Sequence, residues 1–161
     1  MATTRVMRTL SIHKQTARDG LVVERAPGEE SSQSWYAGAP LVYDASTKEI
    51  EEWAGGTDAT LPVGVAVSKA SGTAGTAVSY YEANPVNLFE GSLINGTDAY
   101  VLLGTELGKS YSLVKSSNDW YVDIADTTTT RVEVVGLIDD VGDTNARVIV
   151  RFLQAAWEKV I

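Results

Sequence analysis

The sequence predicts an all-β protein that forms one small barrel-like or sandwich-like domain. About a dozen short runs rich in Val, Ile, Leu, Tyr and Trp alternate with clusters of Gly, Asn, Asp, Ser and Thr, a pattern typical of strands and turns. The turns recur roughly every 8–12 residues, which favours a sandwich or a barrel over βαβ units. No repeat and no long linker divides the 161 residues. We therefore expect an extended N-terminal arm over residues 1–19 and a single β domain over residues 20–161.

Apolar runs in the first half of the chain define its expected strands. They cover residues 5–12, 21–24, 41–44, 49–53, 61–67 and 76–81. The first run alternates only in part, which suits an extended arm or an edge strand. Residues 45–48 have the length of a hairpin loop between the third and fourth runs. Pro62 lies near the start of its run, where a missing N–H is tolerated.

The second half continues the same pattern. Its runs cover residues 86–91, 100–103, 111–114, 120–124, 131–138 and 146–153. A hairpin is expected around residues 116–119, and residues 139–145 join the last two strands. Residues 127–130 form a β-branched polar tract, and residues 154–161 suit either a short helix or a terminal strand.

The residue types that usually carry catalysis are scarce in this chain. It has one histidine, His13, and no cysteine, whereas enzymes rely on groups that titrate or attack carbon near neutral pH. His13 lies in the basic N-terminal segment, and no Gly-x-Ser-x-Gly elbow surrounds any serine. The sequence therefore favours binding or scaffolding over catalysis, and we expect no cofactor.

The charge balance disfavours some partners. Acidic residues number 21 against 13 basic ones, a formal net charge of −8, whereas nucleic-acid binding needs Lys and Arg to neutralise phosphates. No run approaches the roughly 20 apolar residues that span a bilayer, and the start of the chain lacks the apolar run of a signal peptide. We therefore expect neither a nucleic-acid nor a membrane partner. Five basic residues fall within the first 25 and suit docking on an acidic surface, or are ordinary solvated charges: Arg5, Arg8, Lys14, Arg18 and Arg25.

Acidic loops offer the best candidates for a metal site. Asp139, Asp140, Asp143 and Asn145 supply oxygen ligands of the kind that Ca²⁺ prefers. Their spacing does not match the twelve-residue Ca²⁺ loop, and Asp and Asn also cap turns through the backbone. Both interpretations stay open for this loop, and no metal ligand is assigned.

Large aromatic side chains anchor protein cores and interfaces alike. We predict that Trp35, Trp53 and Phe89 lie at a subunit or capsid interface. The alternatives are a place in the core or, for the tryptophans, a platform for sugars. Acidic residues such as Asp44 and Glu51 also offer the carboxylate pairs that glycoside hydrolysis needs, although a solvent-facing hairpin stripe explains them more simply.

A set of strand motifs resembles a known family. The motifs are Ala-Gly-Ala-Pro-Leu-Val-Tyr-Asp at 37–44, Pro-Val-Gly-Val-Ala at 62–66 and Asn-Pro-Val-Asn-Leu-Phe-Glu-Gly at 84–91. They resemble the decoration proteins, also called cement or head-stabilising proteins, of tailed-bacteriophage capsids. The resemblance extends loosely over residues 35–153, including Val-Val-Gly-Leu-Ile at 134–138.

The resemblance implies a small β-barrel or β-tulip domain on the outer capsid surface of a virion. Such proteins are made in the bacterial host cytoplasm, bind the major capsid protein as trimers at three-fold and quasi-three-fold positions, and reinforce the expanded shell. No catalytic residues carry over. The alternatives are a tail or head–tail protein, a carbohydrate-binding module, and a hydrolase that uses two carboxylates.

The N-terminal arm is the expected capsid-binding element. An extended segment adds a strand to an exposed sheet edge through main-chain hydrogen bonds. Arg5 and Arg8 are expected to pair with acidic capsid groups. The remaining arm residues assigned to this contact are apolar: Val6, Met7, Leu10 and Ile12. Deletion of residues 2–12 is expected to abolish capsid binding and to leave the fold intact.

Overall fold

A computed structural model describes residues 2–14, 23–25, 28–56 and 58–153, and its regular elements there are all β-strands. The strands are β1 (Ser11–Lys14), β2 (Val23–Arg25), β3 (Pro40–Asp44), β4 (Glu49–Glu52), β5 (Gly64–Ala66), β6 (Val78–Glu82), β7 (Leu88–Asn95), β8 (Asp98–Ala99), β9 (Ser110–Ser116), β10 (Asp119–Asp123), β11 (Val132–Leu137) and β12 (Arg147–Phe152). The all-β prediction is confirmed. The terminal helix or strand expected over residues 154–161 lies outside the described residues.

Five strands close into a barrel in the order β7-β10-β9-β11-β12, because β12 returns to pair with β7. All these pairings are antiparallel except that of β10 with β7, which is parallel. Strand β7 is eight residues long and has different neighbours along its length. Its first half pairs with β1 and β12, whereas its second half pairs with β10 and β8. The barrel therefore closes around β7.

The remaining strands form an antiparallel half-barrel sheet in the order β2-β6-β5-β3-β4. The hairpin predicted over residues 45–48 joins β3 to β4. Part of the outer edge of β4 is covered, since the Ile50 N–H donates to the Gly28 carbonyl and the Ile50 carbonyl accepts from the Glu30 N–H. Covering an edge in this way blocks strand addition there.

The described N-terminal residues lie along the barrel. The Arg8 carbonyl accepts the Ser92 N–H at 3.1 Å, and the Leu10 N–H donates to the Trp120 carbonyl at 3.1 Å. Leu10 is 1% exposed and belongs to the core. The segment thus fills the gap where β7 and β10 diverge. The expectation that residues 2–12 are dispensable for the fold is therefore corrected.

The predicted interface aromatics lie inside the molecule. Trp35, Trp53 and Phe89 are all buried, and Trp53 packs on Trp120 with ring centroids 5.5 Å apart. Burying such large apolar surfaces stabilises the fold. This burial contradicts the interface assignment of all three residues, and it equally removes Trp35, Trp53 and Trp120 as a sugar platform. The core alternative is the correct one.

The run over residues 100–103 does not form the predicted strand. Only Val101 makes an isolated bridge, to Thr144. Leu102 is buried, while Val101 and Leu103 on either side of it are exposed. The run is therefore an extended loop with one inward-facing residue.

Candidate functional site

Four large aliphatic side chains are exposed on two neighbouring loops. The exposed fractions are 44% for Val101, 58% for Leu103, 53% for Leu107 and 61% for Val141. We call these four residues the apolar end. Single exposed aliphatic residues are ordinary, but a group of them on adjacent loops is typical of an interaction surface.

Backbone hydrogen bonds hold the two loops side by side. The Leu102 N–H donates to the Asp143 carbonyl at 2.9 Å, and the Gly142 N–H donates to the Leu102 carbonyl at 2.8 Å. Because successive side chains of an extended segment point to opposite faces, Leu102 faces the core and its two neighbours face outward. A Cβ at Gly104 would lie 3.1 Å from Val141 Cγ2. The loops are therefore in direct contact beneath the exposed side chains.

A buried carboxylate anchors the longer loop. Glu106 is buried, and its Oε1 accepts the Tyr100 hydroxyl at 2.5 Å. Burial acts to raise the pKa of Glu106, but hydrogen bonds from Tyr100 and from backbone N–H groups, including those of Leu103 and Gly104, outweigh it, and the pKa is lowered. Burial, and then the bond to Glu106, raise the pKa of Tyr100. The hydrogen bond between Tyr100 and Glu106 thus links the two sides of the loop that carries Leu103 and Leu107.

The apolar end lies near the start of β9, and one attachment of the half-barrel sheet lies near the end of that strand. This strand begins at Ser110, next to the loop of Leu107, and ends at Ser116. This attachment is close to Ser116. There Glu52 accepts Lys115 Nζ at 2.6 Å and Trp120 Nε1 at 2.8 Å. The described chain leaves the four side chains of the apolar end between 44% and 61% exposed, so no part of it covers them fully.

The acidic loop considered for a metal is occupied by the protein's own cations. Asp143 accepts the Thr3 N–H at 2.7 Å and Arg5 Nη2 at 2.6 Å. Asp139 accepts Arg147 Nη2 at 3.0 Å. Hydrogen bonds from the backbone of Thr3 and from Arg5 lower the pKa of Asp143, and those from Arg147 lower the pKa of Asp139. The pairing supports a structural role for this loop and speaks against the metal alternative.

Some of the residues predicted to bind a capsid are engaged within the chain, and others are exposed. Leu10 is in the core and Ile12 packs against it, while Val6 is 80% exposed. Arg5 is engaged by Asp143, whereas the Arg8 side chain is exposed. Met7 lies between these extremes. Contact between the arm and a partner thus stays a prediction. Among these arm residues, Val6 and Arg8 are the best exposed for such a contact.

Two acidic residues of the β3–β4 hairpin form a cluster with Glu30. Glu30, Asp44 and Glu51 each place a carboxylate oxygen within 4.8 Å of the others, and all three are half-buried. Burial, followed by a hydrogen bond with Glu30 and its charge, raises the pKa of Glu51.

An apolar cavity of about 200 Å³ lies elsewhere, lined by residues that include Leu10, Ile12, Val65 and Tyr81. Over the described part of the chain, the carboxylate cluster and the cavity are therefore separate features.

Acid is expected to weaken the attachment of the N-terminal segment. The pKa values of Asp139 and Asp143 lie below the ordinary value of 3.8 in the folded chain. Their stabilisation is therefore complete above that pH and is lost as the pH falls through the folded-state values. We expect the free energy of unfolding, measured with urea at pH 6 and pH 3, to fall less for Asp143→Asn than for the unmodified chain. Asp98→Asn, at an exposed position, is the control, and equal losses in all three would contradict this assignment.

No helix in the described ranges is long and apolar enough to cross a membrane. Comparison of the chain with protein-family models, with curated proteins and with solved structures returns no match.

Proposed function

We propose that the protein is a non-enzymatic structural component of a phage virion. It binds the major capsid protein on the outer surface of the capsid at three-fold or quasi-three-fold positions, assembles there as a trimer, and stabilises the expanded shell. The observation that supports this most is the apolar end, a group of exposed aliphatic side chains held rigidly at one end of a closed barrel. The strand motifs that resemble decoration proteins point in the same direction.

The hydrogen bonds that buried carboxylates accept also favour a structural role. Buried Glu29 accepts the N–H groups of Ser71 at 2.8 Å and Gly72 at 2.5 Å and thereby fixes a loop of the half-barrel sheet. Glu106 and Asp143 fix other loops in the same manner. Catalytic groups need open access to substrate, whereas these carboxylates are buried and accept hydrogen bonds from the chain itself.

A small docking surface suits a protein that is present in many copies. On a symmetric lattice each additional contact becomes intramolecular, so contacts of modest affinity become collectively strong. The area of the apolar end is modest because it consists of four side chains. Reinforcement of a shell is therefore compatible with a face of this size.

Quantitative mass spectrometry of purified virions from the source lysate tests the proposal. We expect this chain at a near-stoichiometric ratio to the major capsid protein. A ratio of a few per cent would instead place it in the tail or the head–tail region. Its absence from virions that are otherwise complete would overturn the virion assignment.

A further inference from the structure

We propose that the apolar end, with Val6 at its border, is the face that meets the capsid, and that the capsid surface opposite it has an apolar centre flanked by basic side chains. This inference rests on the proposed function and adds to it the contact surface and the chemistry of the partner. Four observations carry it: the exposure of the aliphatic residues, the charges around them, the rigidity of their loops and the course of the N-terminal segment.

The exposure of the aliphatic side chains is the first reason to expect a partner at the apolar end. Leu103 and Val141 are each more than half exposed, and a partner that covered them would remove apolar surface from water, which is favourable. A partner that covers this end therefore buries aliphatic side chains without displacing any part of the described chain.

Charges next to the apolar end indicate the partner's chemistry. Asp98 on β8 and Asp140 beside Val141 are exposed carboxylates, and Lys109 is the exposed base on the longer loop. Arg5 and Arg147 contribute little positive charge because Asp143 and Asp139 pair with them. The end therefore has an acidic rim on a chain whose net charge is −8.

An acidic rim favours a basic partner over a second copy of the chain. Complementary potentials speed the encounter and fix the register, while like charges placed opposite each other are unfavourable. A two-fold contact through this end would place two acidic rims opposite each other. A capsid surface with Lys or Arg around an apolar centre is the better match.

Rigidity lowers the cost of binding. The loops are joined by the backbone pairs of Leu102 with Asp143 and Gly142, and the longer loop is anchored by Glu106. A surface that is already ordered loses little conformational freedom on association. Binding energy from a few aliphatic contacts is thus retained.

The N-terminal segment borders this face. The Arg5 N–H donates to the Thr144 carbonyl at 2.8 Å, and Val101 forms its bridge with the same Thr144. Val6 follows directly and is exposed. The part of the predicted arm that is available to a partner therefore adjoins the apolar end, so that both belong to one continuous surface.

The experiment compares matched aspartate variants in virions. Leu103→Asp changes the apolar end, and Val86→Asp is the control because Val86 is 50% exposed on the loop before β7. Thermal unfolding of each purified chain checks that the fold is kept. We expect Leu103→Asp to reduce the copy number per virion by about tenfold or more, as the loss of a central anchor does, and Val86→Asp to leave it unchanged. Asp140→Lys tests the predicted basic side chains of the capsid, and it is expected to reduce the copy number and to make the remaining binding less sensitive to salt, which screens the new like-charge repulsion.

The other outcomes distinguish an error in the contact face from an error in the proposed function. If the unmodified chain is on the shell and Leu103→Asp is retained at the same copy number, the apolar end is not the contact face, although the proposed function stands. If Asp140→Lys binds as well as the unmodified chain, the assignment of basic side chains to the capsid surface is wrong. If sedimentation shows that Leu103→Asp abolishes self-association while capsid occupancy persists, the occupant is a second copy. If the unmodified chain is absent from virions, the proposed function and this inference both fail.

Discussion

Replacing Leu10 with alanine is expected to lower the free energy of unfolding by about 2–5 kcal/mol. The side chain is 1% exposed and lies in the core, and its loss leaves a cavity between β7 and β10. Val6→Ala, four residues earlier at a position that is 80% exposed, is the matched control and should change stability by no more than about 0.5 kcal/mol. Urea unfolding of the three chains, followed by tryptophan fluorescence, measures the difference.

Equal stabilities for the two variants would contradict the placement of the N-terminal segment. They would show that residues 2–12 form a free arm that does not pack in the core. The predicted large loss has a practical consequence for binding studies, because a deletion of residues 2–12 removes a core side chain together with any contact to a partner. Point changes at Val6 and Arg8 separate those two effects.

Gly28→Ala is expected to cost about 3 kcal/mol or more, at the upper end of overpacking substitutions. A Cβ at position 28 would lie 2.3 Å from the carbonyl carbon of Gly75 and 2.5 Å from its Cα and oxygen. These are backbone atoms, so no side-chain rotation relieves the overlap. The adjacent Glu29 exchanges backbone hydrogen bonds with Gly75 and Thr76 at 2.7–2.8 Å, and separating the two segments would break them.

Gly136→Ala provides the comparison for Gly28→Ala. Its new Cβ would meet Ile149 Cδ1 at 3.1 Å, the flexible tip of a side chain that can rotate. We expect a clearly smaller loss, measured by the same urea titration. A loss at Gly28 no larger than that at Gly136 would show that the two segments are not packed as closely as described.

The strands that local pattern predicts well are those in hairpins. The runs 41–44 and 49–53, and likewise 111–114 and 120–124, correspond to β3, β4, β9 and β10. Alternation and turn residues are local signals, and a hairpin joins neighbours in sequence. The parallel pairing of β10 with β7 and the insertion of residues 8–14 beside β7 are contacts between distant segments. No local pattern specifies them.

The apolar end escaped sequence analysis because an apolar run is ordinarily interpreted as a buried strand. A usable signal was nevertheless present. Leu103 and Leu107 each directly precede a glycine, Gly104 and Gly108, both of which adopt positive φ. Large aliphatic residues within such a turn-rich stretch are poorly placed for a core. The aromatic residues posed the opposite problem, because residue type alone does not distinguish a core from an interface.

The position of Phe89 has a consequence for the order in which the molecule folds. Phe89 is paired with Ile12 on one side and with Val150 on the other, so one residue of β7 joins a strand near the start of this chain to the last described strand. Pairings between such distant segments close slowly, since the loop-closure entropy is lost before the contacts form. During synthesis, β7 emerges long before β12 and has an unpaired edge in the meantime. We therefore expect the barrel to form after synthesis of β12, and partial chains that end before it to be prone to strand-edge aggregation.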